Sequence, residues 1–451
     1  MTSPASAGSR FAGVDAFRGL VMLVLVSNQL QGFSFLEMSQ RHPQSALWAL
    51  LARQFTHTAW GGATVWDFIM PSFVFLIGVS MRLSYESRRA RGEGAAAIAL
   101  HVALRSVAMF LLGMLLVVQI NTPLSLWWPV LMLLPGVHID RQLPSWARPA
   151  SAQARQRLAT WFLIIVLCAS AWRLAGQIHE LGNYDFSHLL TQVAFAYPFA
   201  YIAARLSVRG QVITIAAILV AYWLAFALYP ATPFVHDGLA MPVQPEVAPY
   251  QGWFAHWNRD TNVAAAFDRW FLNALARTAT FVANEHGYQT LSFVPLIASM
   301  LLGSIAAVPL RNAASPQQAC VALLKLGVAW LVAGLATGFL LCPLVKSLWT
   351  PSWVLFSGGV AALLLALFHY LASALTHKQA ISALAVAGAN SLLLYVLSMN
   401  FRPMFLYKWQ HLLGWQFFDG PYGPLLFALC MVATMWVIAA VLAKLRIFVR
   451  L

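Results

Sequence analysis

The chain has 451 residues, 60% of them hydrophobic and 9% charged, with a mean hydropathy of +0.70. Soluble domains carry about 25% charged residues, so this composition excludes a secreted or soluble fate and requires an integral membrane protein with many spans. The 28 Lys and Arg against 14 Asp and Glu give a formal charge of +14; in a membrane protein this reflects basic cytoplasmic loops, and no nucleic-acid partner is expected.

The first fourteen residues are small and polar, and no short apolar segment with an A-x-A cleavage site follows, so the N-terminus is expected to be retained. Apolar runs long enough to cross about 30 Å of hydrocarbon fall at about 17–36, 63–83, 101–120, 158–176, 188–206, 210–229, 289–309, 322–342, 352–375, 381–399 and 424–446. A shorter run, Leu126 to Val137, is interrupted by Pro129 and Pro135 and either spans or re-enters. The basic segments Arg82–Arg91, Arg141–Arg157, Arg205–Arg209, Arg311–Lys325, His377-Lys378 and Arg446–Arg450 fall on one side, with both termini, only if that run crosses. The expected fold is therefore all-α: a helical bundle of about twelve transmembrane helices in the lipid bilayer of a cell (inner) membrane, both termini cytoplasmic. The 18 Trp fit aromatic belts at the membrane surfaces. Cys168, Cys320, Cys342 and Cys430 lie in or beside apolar runs with no CxxC pair, and read as small buried hydrophobes rather than a disulfide frame or metal site.

The first constellation that could carry chemistry is Asp15-Ala-Phe-Arg18-Gly19, where the chain enters the first span. Asp15 and Arg18 share a helical face; they form either a capped, snorkelling helix start or a cytoplasmic-side anion site. The second is Phe55 to Met81, FTHTAWGGATVWDFIMPSFVFLIGVSM. Asp67 lies in an apolar run, where a carboxylate costs roughly 2.5–3.5 kcal/mol to insert, so it should face a cavity, a partner or a substrate path. His57 sits just upstream, near water on the outer face, and histidine suits proton traffic near neutral pH. Gly61 and Gly62 permit close approach of backbone or ligand, and Thr64 shares a helical face with Asp67.

The long outer loop from Pro230 to Gly287 interleaves Trp253 and Trp257 with Asp237, Glu246, Asp260 and Asp268, which suits either a sugar or an interfacial cap. Downstream, Thr350-Pro351 is a helix-start signature, with Lys346 an outer-face cation just before it. Gly388-Ala-Asn390-Ser391, with Tyr395, places an amide inside a span, where it must find a partner. The chain holds no GxGxxG, Walker loop, HExxH or GxSxG, which argues against nucleotide-driven transport, zincin proteolysis and a serine-hydrolase elbow. No internal repeat supports an inverted-repeat transporter.

Taken together, the four pieces resemble the heparan-α-glucosaminide N-acetyltransferase family, whose pattern runs DxFRG, HAxWxGxTxxD before a proline-aromatic span, LWTPSFVL with a glycine pair, and GxNxLxxY. Here the corresponding stretches are Asp15 to Gly19, His57 to Asp67, Leu348 to Leu355 and Gly388 to Tyr395, in the same order. The resemblance implies one acyltransferase domain over 1–451, made of a ten-span core, an added helical hairpin at 121–178 and an extracytoplasmic loop at 230–288. It further implies transfer of acetyl from cytosolic acetyl-CoA, with no metal, to an amino or hydroxyl group of a sugar or glycan at the outer face. His57 occupies the place of the family's catalytic histidine. Asp67 would orient it, and Asn28, one position off the family's asparagine, could supply an oxyanion donor. Asp15, Arg18, Arg82 and Arg88 are expected on the acyl-CoA side, and Trp60, Glu285, Lys346, Trp349 and Asn390 at the acceptor. A proton-coupled transporter or flippase using His57 and Asp67 as a relay is the alternative, and the oligomeric state, including a homo-oligomer, is left open.

Overall fold

The computed structural model describes residues 11–27, 34–117, 137–139, 164–166, 168–170, 184–231, 235–236, 239–240, 248–275, 277, 279–374 and 379–449. The hydrophobic runs become helices α1 (Ala12–Ser27), α4 (Ile69–Ala90), α5 (Ala95–Val117), α6 (Leu189–Ala204), α7 (Val208–Ala227), α9 (Phe293–Asn312), α10 (Pro316–Leu340), α11 (Pro351–Ala374), α12 (Gln379–Ala389), α13 (Ser391–Leu413) and α15 (Gly423–Lys444). Shorter helices α2 (Ser34–Arg41), α3 (Ala46–Gln54), α8 (Val263–Asn273) and α14 (Trp415–Asp419) lie in the connections. Among the described residues, strands are confined to two antiparallel pairs, β1 (Val137–Ile139) with β4 (Ile447–Val449), and β2 (Val235–His236) with β3 (Leu239–Ala240). The protein is an all-α, multi-pass membrane protein.

Among the described residues seven helices are long and apolar enough to cross a membrane, and eight if the bent pair α12–α13 is one span. Helices α1 and α6, 16 residues each, occupy two further expected runs. The expected crossing at 126–137, most of that at 158–176 and nearly all of the 121–178 hairpin lie outside the described residues. The run expected as a span over 381–399 is broken at Asn390 and bent by 68°. Local chemistry explains the helix starts. Ser45 accepts from the Trp48 N–H, Ser315 from Gln318 ahead of Pro316, and Asn262 from Ala264 and Ala265.

Lipid gives apolar helices no hydrophobic reason to associate, so close packing must hold them. Glycines supply it reciprocally. A Cβ on Gly303 of α9 would fall 2.0 Å from the Phe75 carbonyl oxygen of α4, and one on Gly78 of α4 would fall 1.9 Å from that of Met300. Gly19 of α1 and Gly388 of α12 meet in the same way, as do Gly334 and Gly359 at the α10–α11 crossing. The bundle thus has two distinct ends. Arg82 donates to the Ala204 carbonyl at 2.9 Å and pairs with Glu86, which also binds Arg311, so the ends of α4, α6 and α9 share one basic end. Gly13 packs on Phe368 and His369 near the close of α11, placing the start of α1 there too. The start of α4, with Asp67, lies at the opposite end.

Gly303→Ala should force α9 from α4 and lower the thermal midpoint of purified protein, at a cost of about 1–3 kcal/mol for overpacking. Gly94→Ala, where nothing lies within 4 Å, should leave it unchanged.

Candidate active site

Two loops that are distant in sequence build the site. The first, 55–65, leaves α3 at Phe55 and re-enters the bundle through a 3-10 turn, Trp66–Phe68. The second, 341–350, joins α10 to α11. A backbone bridge links Gly61 to Val345, and the Gly62 N–H donates to the Leu344 carbonyl at 2.9 Å. Both glycines are required: Gly62 has φ 105°, and a Cβ on Gly61 would fall 1.7 Å from the Tyr250 hydroxyl. The second loop is held by Thr350, which donates to the Pro343 carbonyl at 2.9 Å and accepts from the Val345 N–H at 3.1 Å. Trp349 pays for this turn with φ 53°, a left-handed conformation that costs a non-glycine residue about 1–3 kcal/mol.

The loops bring together His57, Asp67 and Lys346. His57 Nδ1 lies 2.7 Å from Asp67 Oδ1, and Lys346 Nζ lies 3.3 Å from the same oxygen. Asp67 Oδ2 accepts from Thr58 N at 3.3 Å, Thr64 N at 3.1 Å and Thr64 Oγ1 at 3.0 Å. The Asp67 and Lys346 side chains are 1% and 4% exposed, whereas the imidazole remains 43% exposed. A carboxylate can only accept, so Asp67 fixes the imidazole proton on Nδ1 and leaves the Nε2 lone pair for chemistry. Lys346 Nζ also approaches Nδ1 at 2.9 Å and Nε2 at 3.4 Å. With the proton on Nδ1, the ammonium can donate to the ring only at Nε2, and that longer contact must open for the lone pair to act.

Burial, and secondarily the Lys346 and His286 charges, outweigh the Asp67 hydrogen bond and hold the His57 pKa below its ordinary 6.5. The imidazole is therefore neutral at pH 7, the form a general base or nucleophile needs.

The remaining expected residues are placed as follows. Trp60 is buried, its indole donating to the Trp257 carbonyl at 3.0 Å, and Gly287 packs on its ring. Trp349 is buried beneath the site, donating to Ser299 Oγ at 2.9 Å. Both shape the site from behind rather than face an acceptor. Glu285 is exposed on the adjoining loop, its carbonyl held by Arg259. The neighbouring His286 carbonyl accepts from Ser347 Oγ at 3.2 Å, which ties that loop to the lysine turn. Tyr288, which sequence reasoning missed, places its ring 5.7 Å from Lys346 Nζ. Asn28 lies outside the described residues.

Five expected residues stand elsewhere. Arg18 donates to Asp15 Oδ1 at 3.0 Å and to Ser80 Oγ at 2.5 Å. Ser80 is thirteen residues beyond Asp67, roughly 20 Å along the helix axis. Arg82 is engaged at the basic end by Glu86 and Ala204, and Arg88 by Glu93 Oε2 at 2.7 Å and His101 at 3.2 Å. Asn390 pairs with strand β4 and belongs to neither group. Among the described residues no group of three or more His, Cys, Asp or Glu could hold a metal.

The chain, over part of its length, is similar to a known protein. Over 112 residues, 25% of its length, the chain is 30% identical to heparan-alpha-glucosaminide N-acetyltransferase of Mus musculus. It is a distant relative of a membrane acetyltransferase. The match spans 14% of that protein's length. No protein-family model matches the chain.

Two measurements check the electrostatics. Diethyl pyrocarbonate acylates only neutral imidazole, so the rate at His57 should titrate with a midpoint below 6.5. Lys346→Met removes a cation and should move that midpoint upward.

In the cap beside the site, Asp268 is buried on α8, and its Oδ2 accepts from the Thr290 N–H at 2.8 Å. Burial raises its pKa from 3.8 to about 6. A raised carboxyl pKa favours the fold at low pH, and that contribution is lost as pH rises through about 6. Asp268→Asn, which keeps an acceptor for Thr290, should flatten the thermal midpoint between pH 4 and 7 and raise it above pH 6.

Proposed function

We propose that the protein is a membrane-embedded acyltransferase that moves an acetyl or other acyl group from acyl-CoA to an amino or hydroxyl group of a sugar or glycan. The observation that carries this reading is the contact between His57 Nδ1 and the buried Asp67 carboxylate, which leaves a neutral, half-exposed imidazole at one end of the bundle. The likeness to a membrane acetyltransferase supports the reaction class.

As a general base, Nε2 takes the proton of the acceptor N–H or O–H while that atom attacks the thioester carbonyl. The C–S bond then breaks, and the imidazolium returns the proton to the departing CoA thiolate. As a nucleophile, Nε2 forms the C–N bond itself, releases CoA and passes the acyl group to the acceptor in a second step. In both routes the imidazole turns cationic beside Asp67, whose carboxylate stabilises it. Lys346 balances Asp67 between turnovers and keeps the resting histidine neutral.

The donor would enter from the basic end, which we assign to the cytoplasm, and the acceptor would meet His57 at the outer face. Arg82 stands fifteen residues beyond Asp67 on the same helix, roughly 22 Å along its axis. Phosphates held near that end therefore require an extended pantetheine arm to carry the thioester through most of the bilayer's thickness. The two routes separate kinetically, since ping-pong behaviour and a trapped acetyl-enzyme belong to the covalent one.

His57→Ala should lower transfer from acetyl-CoA to a glucosamine acceptor by about 10²–10⁴-fold in a folded, membrane-inserted protein. Turnover within tenfold of wild type would remove His57 from the mechanism. In the wild type, kcat/KM should fall on the acid side with a midpoint below 6.5, because protonation of the base abolishes its function.

A further inference from the structure

At the break between α12 and α13 a side-chain amide is spent on an extended peptide. Asn390 is fully buried; its Nδ2 donates to the Ile447 carbonyl at 3.2 Å, and its Oδ1 accepts from the Val449 N–H at 2.8 Å. These are the two bonds one amide makes to an adjacent extended chain. The strand that receives them is not a continuation of a neighbouring helix. Arg446, at φ 54°, turns the chain after α15, and β4 enters the bundle. There Val449, 6% exposed, packs with Leu112 and Leu116 of α5, Leu190 of α6 and Val396 of α13. The other edge of β4 pairs with β1. In the same cleft the Tyr395 hydroxyl meets His188 Nε2 at 3.2 Å, and His188 Nδ1 is a buried polar atom without a partner.

An apolar slot with one amide ready to pair with an extended chain, and a second polar atom left over, matches one part of an acyl-CoA. The pantetheine arm is a narrow extended chain carrying two amide groups, and a buried amide must be paired. We propose that the cleft between α5, α6 and α13 is the binding site for the donor's pantetheine arm. In this assignment Asn390 pairs with one of the arm's amides, and β4 occupies the slot until the donor displaces it. The inference rests on the acyl-CoA reading and adds to it a location, a residue and a competitor within the chain. It also accounts for the depth of the break: α12 is 11 residues long, so Asn390 lies roughly 16 Å in from the basic end.

The test uses full-length protein in lipid nanodiscs and three probes: CoA, pantetheine, and adenosine 3′,5′-bisphosphate, which lacks the arm. Val449→Asp, which expels the strand from its apolar seat, should tighten CoA and pantetheine by about fivefold or more, the range of ordinary coupling between sites. It should leave adenosine 3′,5′-bisphosphate unchanged, and Asn390→Leu should weaken CoA and pantetheine alone. A near-isosteric Val449→Cys variant guards against misfolding, because saturating CoA should raise thiol labelling at position 449, read by peptide mass spectrometry. CoA that binds with the same affinity to wild type and Val449→Asp, and leaves labelling of position 449 unchanged, would overturn the inference and leave the acyl-CoA reading standing. No stabilisation of any variant by CoA or pantetheine would overturn both.

Discussion

Everything at the candidate site depends on one buried carboxylate. Asp67 is 1% exposed, so its charge is stable only because five donors converge on it: His57, Lys346, the Thr58 and Thr64 amides and the Thr64 hydroxyl. Those donors arrive on two loops, with Lys346 279 residues from Asp67 in the chain. Breaking a buried ion pair by removing one partner costs about 3–5 kcal/mol, because the other charge is then stranded. The same requirement that stabilises the carboxylate therefore fixes the loop geometry. It also sets the imidazole tautomer, while burial and the Lys346 charge keep that ring neutral against the pull of the carboxylate.

The scaffold separates this site from the basic end of the bundle. Glycine crossings between α4 and α9, α1 and α12, and α10 and α11 bring backbones into contact, so the helices form a rigid frame. His57 and Lys346 stand at one end of it, and Arg82, Arg88 and Arg311 are locked into ion pairs at the other. A chemistry that joins a reactant from each side of a membrane needs this arrangement. So does a passage between the ends, and the break at Asn390 is where the helical wall departs from regularity.

Much of this was legible residue by residue. The apolar runs gave the spans because a lipid-crossing helix has a length set by the bilayer. Asp67 stood out because a carboxylate in an apolar run demands a partner, and His57 because of its place before that run. Lys346 was legible as a cation beside a helix start, yet nothing in the sequence joined it to Asp67. Trp60 and Trp349 were expected to face an acceptor, but their indole N–H groups found partners inside the protein, as buried tryptophans do. The break at Asn390 was read as an amide needing a partner, and the partner proved to be a strand more than fifty residues later.

What the sequence determined by itself is the class of the molecule and the identity of its scarce polar groups. A chain with 9% charge and long apolar runs has no soluble solution, and each ionisable residue within those runs is costly enough to need a function or a partner. What only the tertiary structure decided is which of those groups meet. Hydrophobic periodicity is local, while the pairing of loop 55–65 with loop 341–350 is a long-range outcome of helix packing, glycine contacts and backbone bonds. A single sequence therefore names His57, Asp67 and Lys346 separately, and only the fold makes them one site.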